Sequence, residues 1–450
     1  MNIWIGILLM LLWGGLCCRS WLRSIRATNW ILSEKEVLTL SPVSENICEK
    51  KLFVLLPALE EQPIVDETLN YFSKILSPFP NATIIVITGE SERVRRDELG
   101  SKEEMTNSLV DKWIANNIDH CVIRLHEPAL SGTKSTKLQF AWQKLKEQFG
   151  RNYIEDSWFA IYDFDSRPPQ ETFIALAREL KNGQADVIQQ VPHIAGSEIH
   201  EYSSTSASRT QAIAHYERTL CIETDLRREQ TGATWEIRYA MGAGLFLKAS
   251  CLEKTEGFPE YSDDIALGYR LDLLEIPRVV LSVPNMVQPA PSFRALIKQF
   301  RRINLGVFSV HKEVEWFLNK NKVKTKKFFI LMRVIASHSR SLSNIIRFIA
   351  AILASFFVLP NSILLACSFV LIYLIGESLA VFSYSRLMNR VRRSYTNNLQ
   401  DISLPISGSI IGAFFLGAIQ FFFLLDFFIY RIRNGHNVLK VAGDKTKRKV

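Results

Sequence analysis

The chain has 450 residues, a length that corresponds to two to four structural units rather than one. Hydrophobic residues make up 48% and charged residues 22%, with 21 glycines and 16 prolines, which excludes a disordered, collagen-like or disulfide-scaffold protein. The net charge of +9 is concentrated at the edges of apolar stretches. The tail 431–450 carries seven Lys or Arg against the single acid Asp444, and Lys320, Lys322, Lys324, Lys326 and Lys327 form a second cluster. Charges placed there follow the positive-inside rule for membrane segments, and no aromatic-interleaved basic patch or nucleic-acid module accompanies them. Nucleic acid is therefore not an expected partner. The seven cysteines (Cys17, Cys18, Cys48, Cys121, Cys221, Cys251 and Cys367) include no C-x-x-C pair. They read as isolated thiols in a reducing compartment.

In chain order, residues 3–16 are apolar and are followed by Arg19, Arg23 and Arg26. Positive charge after the apolar run fits a signal anchor over 1–18 better than a cleaved signal peptide, with 19–47 as a linker. From Cys48 onward, β-rich runs occur at Leu52–Leu56, Thr83–Thr88, Cys121–Leu125, Trp158–Tyr162, Asp186–Val191, Leu245–Leu247 and Val279–Val283. Helical stretches separate them, as at 134–149 and 170–181. That alternation predicts an α/β domain with a mostly parallel sheet over 48–325, with its functional loops at the C-terminal ends of the strands. Phe293, Leu296, Ile297 and Phe300 recur at helical spacing beside Lys298, Arg301 and Arg302, the pattern of an amphipathic helix at a membrane surface; a core-facing helix carries the same stripe. An interfacial segment is expected over 326–344. Residues 345–383, interrupted at Pro360-Asn361, predict a transmembrane hairpin. A basic loop over 384–403, a further span over 404–430 and the basic tail complete the chain. Glu377 and Asp426 lie within the apolar stretches, where an acid is either functional or paired.

The strongest chemical signal is Asp163-Phe164-Asp165, where an apolar strand ends. In an extended chain, acids two residues apart share a side. Two such oxygens suit a hard divalent cation that is shared with a diphosphate. Alone, the pair reads equally as solvated turn acids, so its neighbours matter. They are Pro57-Ala58-Leu59-Glu60-Glu61 after the first strand, Met241-Gly242-Ala243-Gly244, Glu256-Gly257-Phe258-Pro259, Ser262-Asp263-Asp264 and Gln299-Phe300-Arg301-Arg302. Acids at a helix start, as at Asp263 and Asp264, also serve merely to complement the helix dipole. Gly242-x-Gly244 precedes a strand and is no dinucleotide fingerprint. Tight backbone packing explains those glycines better.

In order and spacing this series resembles the membrane-bound family 2 glycosyltransferases, which have a GT-A fold; the resemblance covers about 48–310. It implies that the Pro57–Glu61 loop, with Glu60 where the family has Asn, holds the nucleotide. It implies the same for Lys134, which opens a helix-start motif that ends at Gln139. Asp163 and Asp165 match the family's D-x-D, which binds metal (Mg²⁺ or Mn²⁺) and diphosphate. Asp264, preceded by Asp263, matches the catalytic base of the T-E-D motif. Gln299 and Arg302 match the first and fourth positions of Q-x-x-R-W. Two departures stand out: Ile303 replaces the Trp of polymerising members, and Glu90 stands where an Asp that reads the base is common. The resemblance implies an inverting transfer of sugar from a nucleotide-sugar donor, a UDP-sugar by expectation, to a lipid-linked or glycan acceptor. The setting would be envelope or extracellular polysaccharide synthesis, beside membrane lipids and polysaccharide-assembly proteins, with the catalytic domain of an integral membrane protein facing the cytoplasm. Two alternatives are a catalytically inactive nucleotide- or glycan-binding subunit of a membrane assembly or transport complex, and a nucleotidyl- or phosphotransferase on the same fold.

Overall fold

The structure is a computed structural model and describes residues 2–40, 48–99, 104–117, 121–150, 156–194, 237–260, 264–287, 293–321, 327–341, 343–359, 362–395 and part of 421–432. All seven expected strands are present. They are β1 (Leu52–Pro57), β2 (Ala82–Gly89), β3 (Val122–Glu127), β4 (Trp158–Ile161), β5 (Val187–Ile194), β6 (Leu245–Lys248) and β7 (Arg278–Val287). They form one sheet in the order β3-β2-β1-β4-β6-β5-β7. The pairings are parallel except that β6 runs against both β4 and β5.

Strand β1 is buried along its whole length because helices cover both faces of the sheet, and its unbroken apolar run is what such a strand requires. Successive side chains enter opposite cores. Leu52, Val54 and Leu56 join Ile84, Val86, Trp158, Ala160 and Tyr162 on one face. Phe53 and Leu55 join Ile85, Ile87, Phe159 and Ile161 on the other. The first core is closed by α2 (Val65–Ile75), α4 (Thr106–Asn116) and α6 (Glu171–Asn182), while α3 (Glu90–Leu99) follows β2 directly. The second core is closed by α5 (Lys134–Phe149), α7 (Ala249–Thr255) and α8 (Ile265–Leu273). Beyond the sheet follow α9 (Phe293–Phe308), α10 (Val310–Asn321), α11 (Lys327–Ser341), α12 (Ser343–Val358) and α13 (Ile363–Tyr395).

Two expected boundaries are corrected. Helix α1 runs unbroken from Asn2 to Leu40, so most of the expected linker is helix. No Gly or Pro occurs between Leu16 and Leu40, and Pro42 follows, so nothing before that point ends the helix. Likewise α13 continues to Tyr395 through Arg386, Arg390, Arg392 and Arg393, where a basic loop was expected. In the expected hairpin region α12 and α13 pack against each other. Among the described residues one helix, over Trp4–Glu36, is long and apolar enough to cross a membrane; Phe348–Val358 and Ile363–Leu379 are shorter apolar helices. Most of the expected span 404–430 and the basic tail lie outside the described residues.

Helix α1 ties the apolar helices to the sheet. Near its start Gly6 lies against Val358, and Trp13 lies against Gly376 and donates to Glu377 Oε1 at 3.3 Å. Near its end Leu38 enters the first core. On the other side of the sheet, α8 approaches the chain before β6 so closely that a Cβ on Gly268 would lie 1.8 Å from the Ala240 nitrogen. Gly268→Ala is therefore expected to cost about 3 kcal/mol or more, since backbone rather than a flexible side chain must yield. A melting temperature at least about 6 °C below wild type would register it.

Candidate functional site

The C-terminal ends of β1 to β4 lie side by side, and the loops that leave them carry most of the expected residues. After β4 the chain turns at once: the Ser166 amide donates to the Asp163 carbonyl at 2.9 Å. Asp163 and Asp165 sit partly exposed on this turn. Beneath them Tyr162 is fully buried and donates to Gln190 Oε1 at 2.7 Å, and Gln190 donates in turn to Thr172 Oγ1 at 2.9 Å. Burial pushes the Tyr162 phenol well above its usual value, so it remains a neutral donor. The turn thus stands on a closed hydrogen-bonded base.

Lys134 opens α5, where Thr133 and Thr136 cap the helix reciprocally; this arrangement satisfies two otherwise orphaned helix amides. The cap fixes the start of the helix, and Lys134 Nζ reaches Asp163 Oδ1 at 2.8 Å. Asp264 caps α8, and its Oδ1 accepts from the Ile265 amide at 2.7 Å. The position where a Gly242 side chain would begin lies 2.9 Å from Asp264 Oδ2 and 3.1 Å from Lys134 Nζ. Four expected features from distant parts of the sequence (Lys134, Asp163, the glycine pair and Asp264) therefore meet at one place. Gly242 is half-buried and leaves room for both side-chain ends, as tight backbone packing requires. Gly244, at φ +78°, lies against Gln190.

The loops at β1 and β2 form a second group. Pro57 ends β1. Lys137, 2% exposed, donates to the Ala58 carbonyl at 2.6 Å, which fixes the loop that carries Glu60 and Glu61. Glu60 takes φ +57°, an uncommon backbone for a non-glycine residue, and lies 3.7 Å from Arg95. The Glu61 amide donates to Thr106 Oγ1 at 3.1 Å, and Glu92 Oε1 accepts from Gln62, the Thr106 amide and the Thr106 hydroxyl. Glu90, at the end of β2, accepts from Arg93 at 2.6 Å and pairs with His126 Nε2 at 3.0 Å. Hydrogen bonds from Arg93 and His126 hold its carboxyl below the usual carboxylate range. At the end of β3, burial raises the carboxyl of Glu127, which the Thr136 hydrogen bond and the Lys137 charge oppose.

Some expected residues are not joined to this cluster. Asp263 lies outside the described residues. Gln299 is half-buried on α9, and Arg302 is exposed on the same helix; among the described residues no contact joins either to Lys134, Asp163 or Asp264. Its neighbour Arg301 instead grips Asp426 with two bonds of 2.6 and 2.7 Å. Gln139 accepts from the Phe258 amide at 2.8 Å and so ties two of the motifs together. His126, Lys137, Gln190 and Thr106 were not singled out from the sequence. A Lys on the buried face of α5 and a Gln pair in an apolar strand were the available signals.

No known protein family matches the chain by sequence, and no curated protein does. Among solved structures, a mannosyltransferase from Pyrobaculum calidifontis, in complex with GDP-Man and Mn²⁺, matches with a TM-score of 0.50 at 14% identity. The match covers 92% of this chain and 99% of that one. This chain shares its fold with that enzyme. S. aureus TarS 1–349 with UDP also matches, at TM-score 0.35 and 13% identity over 77% of this chain and 90% of that one.

Gly242→Ala isolates the site from the fold, because only the far ends of Asp264 and Lys134 must move aside. It is expected to melt within about 3 °C of wild type, since displaced surface side-chain ends cost little. Whatever reaction the site performs should fall at least about tenfold, as displaced reacting groups do. Thermal unfolding and turnover on one preparation read both.

Proposed function

We propose that the chain is a glycosyltransferase of GT-A type that moves a sugar from a nucleotide-diphosphate sugar to an acceptor hydroxyl. The observation that carries this reading is the meeting of Asp163, Lys134, Gly242 and Asp264 above the sheet edge. The fold shared with a sugar transferase supports it.

The roles follow from what each group can do. The ammonium of Lys134 holds the first acid of the turn and adds positive charge where a diphosphate would sit. Asp163 and Asp165 offer hard oxygens from one partly exposed turn, and among the described residues no group of three or more His, Cys, Asp or Glu could hold an ion alone. That donor set fits Mg²⁺ or Mn²⁺ completed by diphosphate oxygens. A cation held there would supply charge neutralisation to the leaving group. Asp264, as base, takes the proton from the acceptor hydroxyl while its oxygen bonds to the anomeric carbon and the carbon–diphosphate bond breaks. One base and no second nucleophile fit a single inverting displacement. The loop of Pro57, Glu60 and Glu61, together with Glu90 and Gln299, is assigned to the donor, and Arg302 to a second positive charge for the leaving diphosphate.

Several features support a membrane setting with the catalytic domain on the cytoplasmic face. They are the exposed apolar side chains of α1, α12 and α13, among them Trp4, Leu8, Phe356 and Leu364, and the basic residues beside them. A lipid-linked acceptor or a growing surface glycan follows from that setting, as do polysaccharide-assembly proteins as partners. The donor nucleotide, for which we take a UDP-sugar as the working case, is what a panel assay decides.

In the test, detergent-purified protein receives a panel of nucleotide sugars and a membrane lipid extract, and nucleoside diphosphate release is followed with Mn²⁺, Mg²⁺ or EDTA. Release from one donor, abolished by EDTA and lowered on the order of a hundredfold or more in Asp264→Asn, is the expected result. Release of pyrophosphate or a nucleoside monophosphate would make it a different transferase. Binding of nucleotide with no turnover of any donor would make it a binding subunit.

A further inference from the structure

Helix α8, which starts at Asp264, is held by buried charges that the reaction itself does not use. Asp272, 3% exposed, lies between Arg278 at the start of β7 and Arg333 of α11; these arginines are 5% and 3% exposed. Arg278 also reaches the carbonyls of Arg238 and Gly268. Arg270 donates to Glu313 of α10 at 2.6 Å, and Glu313 is 1% exposed. Around these charges Ile265, Tyr269 and Leu273 of α8 pack with Val310 of α10 and with Ile330 and Val334 of α11. The opposite face of α11 exposes Phe328, Phe329, Leu331, Met332 and Ile335.

Two arginines share the one carboxylate of Asp272 in a buried setting. Burying such a triad costs desolvation that well-packed apolar residues of similar size avoid, so it is a poor way to gain stability. What it does give is one fixed orientation. Arg333 Nε is buried with no partner among the described residues, so the guanidinium is committed to Asp272.

We propose that Arg333 is a positioning residue for Asp264: through Asp272 it fixes the tilt of α8, so that α11, outside the sheet, sets the direction of the base. This rests on the reading of Asp264 as the base. Eight residues of helix separate the two acids, about 12 Å of rise. A tilt of about 5° around Asp272 then moves Asp264 by about 1 Å, enough to cost about a hundredfold in a step that depends on near-attack geometry. Donor binding, by contrast, is assigned to the loops after β1 to β4, whereas the main helix contacts of α11 are with α10 and α12.

The test uses the full chain in lipid nanodiscs with Arg333→Met, Arg333→Lys and Asp264→Asn, each assayed for kcat, donor KM, nucleoside diphosphate affinity and melting temperature. Arg333→Met leaves Asp272 paired with Arg278, so it is expected to fold. Its kcat should fall about tenfold or more, while donor KM and nucleoside diphosphate affinity stay within about twofold. Arg333→Lys, which keeps the charge without the fork, should recover part of kcat. Wild-type kcat in Arg333→Met would overturn the proposal. So would a parallel loss of nucleotide affinity and melting temperature, or a failure to fold, since each makes Arg333 a purely structural residue. Undiminished transfer by Asp264→Asn would instead remove the base assignment, whatever Arg333→Met shows.

Discussion

The close approach of α8 to the backbone at Tyr239 and Ala240 is the constraint on which the rest of the site depends. Only a hydrogen fits at Gly268, so the helix axis can come near enough for its N-terminus to reach the loop before β6. That loop must in turn give way to Asp264 and Lys134, which Gly242 allows. Two glycines on two elements thus bring together acids 101 residues apart in the chain.

Polar groups divide around the same edge. Those that shape the loops are satisfied internally: Lys137 on the Ala58 carbonyl, Glu92 on Thr106, and Tyr162 on Gln190. Those that would meet a ligand remain partly exposed: Asp163, Asp165, Glu60 and Glu90. A rigid, saturated lower layer beneath an exposed upper layer suits a site that binds charged groups with little reorganisation. The left-handed backbone at Glu60 belongs to this upper layer and is held by the saturated groups on either side of it.

Much of this was legible in the sequence, and the reasons are local. A strand buried on both faces must be apolar throughout, so Leu52–Leu56 and Trp158–Tyr162 identified themselves. The start of α5 at Lys134 and the turn at Asp163 followed from the same reading, because capping and strand ends leave their marks within a few residues. The extent of α1 and α13 exceeds the expected bounds because charge alone does not break a helix; Gly and Pro do, and neither occurs from Leu16 to Leu40 or from Tyr384 to Tyr395. What no local pattern could show was pairing across the chain. Asp272 with Arg333, Arg301 with Asp426 and His126 with Glu90 join residues from 36 to 125 positions apart. Nothing in the flanking residues of either partner encodes the other.

Both acids of the apolar segments, Glu377 and Asp426, are paired. Glu377, 2% exposed, accepts from the Trp13 indole, at the point where Gly376 lets the ring approach α13 closely. Asp426 takes both arms of Arg301, beside Phe308 stacked on Phe427 at 5.6 Å. Small residues let apolar helices approach, and a buried acid then needs its partner to come from the neighbouring helix. The consequence differs between the two. Glu377 fastens apolar helix to apolar helix, whereas Asp426 fastens its own segment to α9, the element that carries Gln299 and Arg302. With Arg333 on Asp272 and Glu313 on Arg270, this makes three ionic contacts that tie elements outside the sheet to α8 and α9. The apolar segments are therefore joined to the rest of the molecule by an ion pair at α9 as well as by the chain itself.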